Sequence, residues 1–227
     1  MMKGYIFDFG GTLDTNGCHW GRFLWHAFQH RQVPVGWEAF SEAYVYVERL
    51  LGKGGQIQPD YTFRRTLEIK IRMQLEFLEM LNDVNLRSLV DDVYAMAAKQ
   101  TSRSREILLQ LKSRSPLVLV SNFYGNLSTV LREFGLDGIF DAVVESAVVG
   151  VRKPDPRIFL LGVEALGLKP EEVTAVGDSL EKDVIPARQA GCRTVWLQGE
   201  GWVRYDYSAL EADRVVFSLE ELLEKNE

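Results

Sequence analysis

Two cysteines, three histidines and seven prolines are all that the 227 residues hold of these types. Cys18 and Cys192 are too few and too far apart in sequence for a disulfide framework or a thiolate metal set, so a reducing compartment is expected. No run approaches the ~18 apolar residues of a membrane-spanning helix. Met1-Met2-Lys3 leads directly into an apolar strand without the apolar stretch of a secretion signal, and a cytoplasmic location is expected. Positive charge is also scarce. Lys and Arg number 26 against 32 Asp and Glu, a formal charge of -6, which argues against a nucleic-acid partner because phosphate backbones demand a concentrated basic surface. There is no internal repeat and no low-complexity tract.

What remains is ordinary globular composition, 46% hydrophobic and 26% charged, in a length that suits one large domain or two small ones. Residues 5–9, 117–121, 142–146, 173–177, 194–198 and 214–218 are short apolar or β-branched runs that alternate with amphipathic stretches. Helices are expected at about 103–114, 126–135, 156–167, 180–190 and 218–225, with breaks at Gly135, Gly167 to Pro170, and Gly191. Strands apolar on both faces and separated by helices imply a Rossmann-like, doubly wound α/β fold with a mainly parallel sheet.

Between the first strand and residue 102 the texture changes to helix alone, with segments expected at about 20–32, 37–51, 62–81 and 86–100. Residues 69–77 alternate like a strand. The stripe Phe63, Leu67, Ile71, Leu75 and Leu78, together with helix-favouring composition, argues for a helix. Asp14 to His19 and Gln100 to Ser104 are the expected linkers. The division is therefore a core of residues 1–16 and 103–227 and an inserted α-helical cap domain of residues 17–102.

In an open α/β sheet, ligands bind beyond the carboxyl ends of the strands. Four such ends carry polar groups here: Asp8, Ser121-Asn122, Arg152-Lys153-Pro154, and Gly177-Asp178-Ser179 with Asp183 a turn later. Singly each has a plain structural reading. Asp8 fits a turn or cap, Ser121 an N-cap, Lys153 a solvated lysine and Asp183 a first-turn acid. Jointly, as DFGGTLD, LVLVSN, VRKPDPRIF and VGDSLEKD in this order, they make the chain resemble the haloacid dehalogenase superfamily of aspartate-nucleophile hydrolases over nearly its whole length.

The resemblance implies an enzyme, a Mg²⁺-dependent phosphatase of a small phosphorylated metabolite. Asp8 would be the nucleophile that forms an aspartyl phosphate, and Lys153 would bridge it to the phosphate. Thr12, Ser121 and Asn122 would contact the phosphate, although Thr12 equally fits a turn-stabilising role. Asp8, the backbone carbonyl of Gly10, Asp178 and, more remotely, Asp183 would hold Mg²⁺, a hard cation that takes oxygen ligands.

Position 10 departs from the pattern, because phosphatases of the superfamily usually carry a second Asp there to protonate the leaving group. Glycine cannot. Asp14, Thr15 and His19 are the nearby substitutes, and positioned acid-base catalysis typically contributes ~10²–10⁴-fold. Three other readings follow from the same gap: a catalytically impaired relative that binds a phosphorylated ligand, a dehalogenase, and a phosphonate-cleaving enzyme using a cap lysine such as Lys53. Against a dehalogenase stand the glycine at 10, where an aromatic residue is usual in that branch, and the Gly177-Asp178 metal pattern.

Other features read as structure. Gly52-Lys53-Gly54 lacks the Ser or Thr and the spacing of a phosphate-binding loop, and Gly177-Asp178-Ser179 lacks the second glycine of a nucleophile elbow. His26 and His30 share a helix face without a third metal ligand in sequence. Arg64, Arg65, Lys70 and Arg72 read as a solvated helix face, and Trp20, Trp25, Tyr44 and Tyr46 as cap packing.

Overall fold

The computed structural model describes residues 3–202 and 212–224. Six strands, β1 (Gly4–Phe7), β2 (Leu117–Ser121), β3 (Ala142–Glu145), β4 (Val173–Gly177), β5 (Arg193–Leu197) and β6 (Arg214–Val216), fall on the six runs read from the sequence. They form one sheet in the order β3-β2-β1-β4-β5-β6, with every neighbouring pair parallel. The order reverses direction between β1 and β4, which makes their carboxyl ends the topological switch point where doubly wound folds bind ligands.

Strand alternation distributes the core between two layers. Ile6, Val118, Val120, Val173 and Ala175 face Ile158, Phe159 and Val163 of α7 (Arg157–Leu166). Phe7, Leu117, Leu119 and Val176 point the other way, toward Ile107, Leu108 and Leu111. Both faces are thus covered, as a parallel sheet requires.

Four helices lie between β1 and β2: α1 (Trp20–His30), α2 (Trp37–Leu51), α3 (Phe63–Phe77) and α4 (Asp83–Lys112). Side chains cap three of them: His19 Nδ1 accepts from Gly21 N–H, Thr62 Oγ1 from Arg65 N–H and Asn82 Oδ1 from Asn85 N–H. The strand-like alternation of 69–77 has a helical explanation. Phe63, Leu67, Ile71 and Leu75 enter the main core, while Ile69 and Met73 pack on a separate cluster of Val47, Leu51 and Ile57. Two apolar stripes on one helix imitate a period of two.

After β2 come α5 (Leu127–Glu133), α6 (Ser146–Val149), α7 and α8 (Ile185–Gln189), the last preceded by a wide π-type turn at Leu180–Val184. The single turn of α6 was not anticipated; Gly150 in the left-handed region closes it. The helix expected at 218–225 is a short 3₁₀ segment, Leu219–Leu223, and residue 225 lies outside the described residues.

The main correction concerns the return linker. Residues 100–104 are not a loop, because α4 runs unbroken through them. The polar run misleads because its hydroxyls are satisfied: Thr101 Oγ1 donates to Ala97 O at 2.8 Å and buried Ser104 Oγ donates to Leu13 O at 2.7 Å. The amino-terminal half of α4 packs Leu86, Leu89, Val90, Val93 and Ala97 among the inserted helices, and its carboxyl-terminal half reaches the sheet layer. A proline at exposed Ser102 separates helix from linker. Ser102→Pro is expected to destabilise the protein by ~3 kcal/mol or more in urea denaturation, whereas a true linker would tolerate it.

Candidate active site

Asp8 follows β1 directly, and its N–H continues the ladder by donating to Val176 O at 3.0 Å. The chain then turns at Gly11, where φ is +100° and a Cβ would stand 2.4 Å from Asp178 Oδ1. Only glycine fits that turn. Thr12 is fully buried against both carboxylates: its Oγ1 lies 3.3 Å from Asp8 Oδ2 and 3.2 Å from Asp178 Oδ1, and accepts from Asp178 N–H at 3.1 Å. The turn-stabilising and site-facing readings of Thr12 are one arrangement.

Lys153 reaches in from the loop after α6. Its Nζ donates to Asp8 Oδ1 and to Asp183 Oδ1, both at 2.6 Å, with the side chain only 2% exposed. Ser121 Oγ, from the end of β2, donates to the same Asp8 Oδ1 at 3.3 Å. The Asn122 side chain is already engaged: Oδ1 accepts from Lys153 N–H at 2.9 Å and Nδ2 donates to Lys153 O at 3.0 Å. It grips the lysine's backbone. Asp183 approaches so closely that a Cβ on Gly177 would sit 2.3 Å from Asp183 Cβ, and its Oδ2 accepts from Ser179 N–H at 3.0 Å. Asp8, Asp178 and Asp183 each offer an oxygen within 4.8 Å of the others.

Burial sets the electrostatics. It pushes the Asp8 carboxyl up to about 6, against the nearby Lys153 ammonium and with Asp183 adding repulsion. Asp178 rises well above the ordinary carboxylate range through burial and then the charges of Asp183 and Asp8. Burial alone would lower Lys153, but the Asp183 and Asp8 carboxylates outweigh it and raise it. Three carboxylates thus share one ammonium, and an all-oxygen cluster short of positive charge suits a hard divalent cation.

These groups form the floor of a cavity of about 240 Å³, roofed by inserted helices. The roof corrects two readings. Lys70 is not on a solvated face: it is 6% exposed, lines the cavity and pairs with Glu48, whereas Arg64, Arg65 and Arg72 pair outside with Asp91 and Glu68. Trp20 and Tyr44 pack within the cap and also line the cavity, while Trp25 packs on Trp37 and Phe40 and Tyr46 on Phe77. Lys53 is exposed and does not line this cavity. The available signal for Lys70 was Thr66, Lys70 and Gln74 at i, i+4, i+8 beside the apolar stripe, all three buried. His26 and His30 diverge: His26 Nε2 meets Glu200 Oε2 at 2.5 Å near Cys18, and His30 Nδ1 meets Asp92 Oδ2 at 3.3 Å.

Around position 10, Asp14 is fully buried. Its Oδ1 accepts from Gly11 N–H at 2.8 Å and its Oδ2 from Trp20 Nε1–H at 2.9 Å, and burial pushes its carboxyl up to about 7 against those two donors. Thr15 Oγ1 is committed to Cys18 O at 2.6 Å. His19 lines the cavity, but burial and then Lys182 pull its imidazole down to about 4, so the ring is neutral near pH 7. With Nδ1 accepting from Gly21 N–H, its proton is on Nε2.

The model of the haloacid dehalogenase-like hydrolases matches residues 2–191. A glyceraldehyde 3-phosphate phosphatase of Pyrococcus furiosus is 34% identical over 130 residues, 56% of this chain and 54% of its own, so the match spans about half the length of that relative. A phosphoglycolate phosphatase of Yersinia pestis is 28% identical over 211 residues, covering 86% of this chain and 81% of its own. Among solved structures, a dehalogenase in an intermediate complex aligns with a TM-score of 0.62 at 23% identity, over 97% of this chain and 95% of that one, a likeness of fold. Strand order, the convergence of four strand-end motifs and a family match over most of the length agree: the chain belongs to the haloacid dehalogenase-like hydrolase family.

Proposed function

We propose that the protein is a cytoplasmic, Mg²⁺-dependent phosphatase of a small phosphorylated metabolite, acting through an aspartyl phosphate on Asp8. The observation that carries this reading is the Asp8-Lys153-Asp183 chain at the switch point, with Asp178 alongside, on the floor of a cavity beneath the inserted helices. Residues 1–16 and 103–227 act as the catalytic core and 17–102 as the cap, with α4 shared across the division. Both cysteines are free thiols, and among the described residues no helix is long and apolar enough to cross a membrane. Relatives named for glyceraldehyde 3-phosphate and phosphoglycolate support a substrate of two or three carbons.

An Asp8 carboxylate oxygen attacks phosphorus, the bond to the ester oxygen breaks, and water later attacks the same phosphorus to release phosphate and restore Asp8. Lys153 keeps Asp8 ionised and offers its charge to the phosphoryl oxygens, while Ser121 holds the carboxylate's orientation. Asp8, Asp178, Asp183 and the Gly10 carbonyl would hold Mg²⁺, which offsets charge on the phosphoryl group. Three clustered carboxylates suit a divalent cation, which phosphoryl transfer uses and displacement at carbon does not require, so the cluster favours phosphorus chemistry.

Among the described residues no side chain near position 10 stands ready as the leaving-group acid. Asp14 lines the cavity with both carboxyl oxygens taken by Gly11 N–H and Trp20 Nε1–H, Thr15 is occupied and His19 holds no titratable proton near neutrality. Turnover therefore depends on how easily the ester oxygen leaves.

A phosphomonoester panel with Mg²⁺ tests the reading: turnover is expected and is lost in Asp8→Asn, whereas ligand binding without Asp8-dependent turnover would leave a binding protein. Gly10→Asp addresses the proton. Position 10 is outside the left-handed region, and a Cβ there meets only Trp20 Cδ1 and Nε1 at 3.6 Å, an ordinary contact. The variant is expected to fold and to raise kcat on alkyl phosphates by ~10²-fold or more, with little gain on an aryl phosphate whose oxygen needs no acid. An equal gain on both esters, or none, refutes the missing-acid account. His19 gives a stability test. Its folded pKa of about 4 lies below the unfolded value, so the folded state binds fewer protons and stability falls as pH drops from about 6.5 to 4. His19→Asn retains a capping acceptor, and wild type is expected to lose roughly 2–3 kcal/mol more than the variant between pH 7 and 4 in denaturant titrations.

A further inference from the structure

The roof of the cavity holds a buried cation that the floor chemistry does not use. Lys70 Nζ pairs with Glu48 and lies 5.3 Å from the Trp20 ring centroid and 5.5 Å from that of Tyr44. Both oxygens of Glu48 have partners, one being Lys70 and the other the Tyr124 hydroxyl, which donates to Oε2 at 2.9 Å. The hydroxyl occupies Oε2, whereas Oε1 meets Lys70 as an ion pair without an aligned hydrogen bond, so the ammonium keeps donors for a further acceptor. His19 adds an Nε2–H to the same cavity, since its Nδ1 accepts from Gly21 N–H. A packing role alone explains Lys70 poorly, because an apolar side chain of similar volume would cover the two rings without the cost of desolvating an ammonium.

We propose that Lys70 reads an anionic oxygen on the leaving group, so that the preferred substrates are small phosphorylated carboxylic acids. This rests on the phosphatase reading above and names the substrate class of that site. The cavity's surroundings sharpen the choice. Asp8, Asp14, Glu48, Asp178, Glu181 and Asp183 line it beside Lys70, Lys153 and the exposed Lys182, so a second negative charge on the substrate needs a nearby ammonium, and Lys70 is the buried one in the roof. At about 240 Å³ the space is below the ~300–1,000 Å³ of drug-sized ligand pockets, which restricts the acid to a few carbons. Lys70 is then a specificity-determining residue, separate from the groups that act on phosphorus.

The test compares phosphoglycolate with ethyl phosphate, which differ by a carboxylate in place of a methyl group, in wild type, Lys70→Gln and Lys70→Met. Wild type is expected to prefer phosphoglycolate. In both variants KM for phosphoglycolate rises about ten- to a hundredfold, the range of one charge-assisted hydrogen bond, with kcat nearly unchanged and ethyl phosphate moved less than about twofold. Equal losses on both esters, or an unchanged KM for phosphoglycolate, overturn the assignment while leaving the phosphatase reading intact. Calorimetric binding of the same two esters to Asp8→Asn protein with Mg²⁺ separates the claims. A Lys70-dependent preference for phosphoglycolate in a wild-type protein that turns over neither ester preserves the anion site and removes the phosphatase; absence of that preference in both binding and turnover removes the anion site.

Discussion

The Lys153 ammonium, shared between Asp8 and Asp183 at 2.6 Å each, is the contact on which the site depends. It brings together three segments that are remote in sequence, and it does so out of water, where an unpaired charge is costly. Removing one partner of a buried pair typically costs 3–5 kcal/mol, because the remaining charge is left uncompensated. Two glycines make the approach geometrically available. A side chain at Gly11 would strike Asp178 and one at Gly177 would strike Asp183, so the carboxylates close on one another only because those positions lack a Cβ. The Asn122 amide fixes the lysine from behind by holding both of its backbone polar groups.

The same crowding makes the floor electrostatically incomplete. One ammonium cannot compensate three carboxylates, and burial first, then mutual repulsion among the carboxylates, displaces Asp8 and Asp178 upward. Such an all-oxygen floor suits a hard divalent cation. Its roof carries opposite chemistry: Lys70 over Trp20 and Tyr44, with Trp202 stacked near His19 and Tyr44. Gly21 admits Trp202, since a Cβ there would stand 2.2 Å from Cζ3. Because α4 passes unbroken from the inserted helices to the sheet layer, the roof is tied to the floor by a shared core as well as by its two chain crossings.

How far the sequence revealed this follows from the kind of signal each element emits. The strands were legible because both faces are buried, which leaves uninterrupted apolar runs, and the strand-end groups because parallel topology converges them whatever their separation in sequence. The continuity of α4 was hidden by Gln100 to Ser104, a polar run whose Thr101 and Ser104 hydroxyls are satisfied by backbone carbonyls inside the fold. Lys70 was hidden for the opposite reason. A lysine among arginines on a helix reads as solvated, and only its register with Thr66 and Gln74 shows that it points inward. The grip of Asn122 on Lys153 had no signal, because it depends on two loops meeting.

Gly10 gains a different meaning once its neighbours are known. A side chain at position 10 would extend toward the pyrrole edge of Trp20, and that edge is already committed through Nε1–H to the buried Asp14 carboxyl. Asp14 in turn receives Gly11 N–H, so the turn after Asp8 is braced by a buried carboxylate. Trp20 presents its face to Lys70 at the same time. One indole therefore links the brace of the turn after Asp8 to the cation of the roof. A Cβ at position 10 would meet that indole at 3.6 Å, an ordinary contact, so the indole's place does not depend on the glycine.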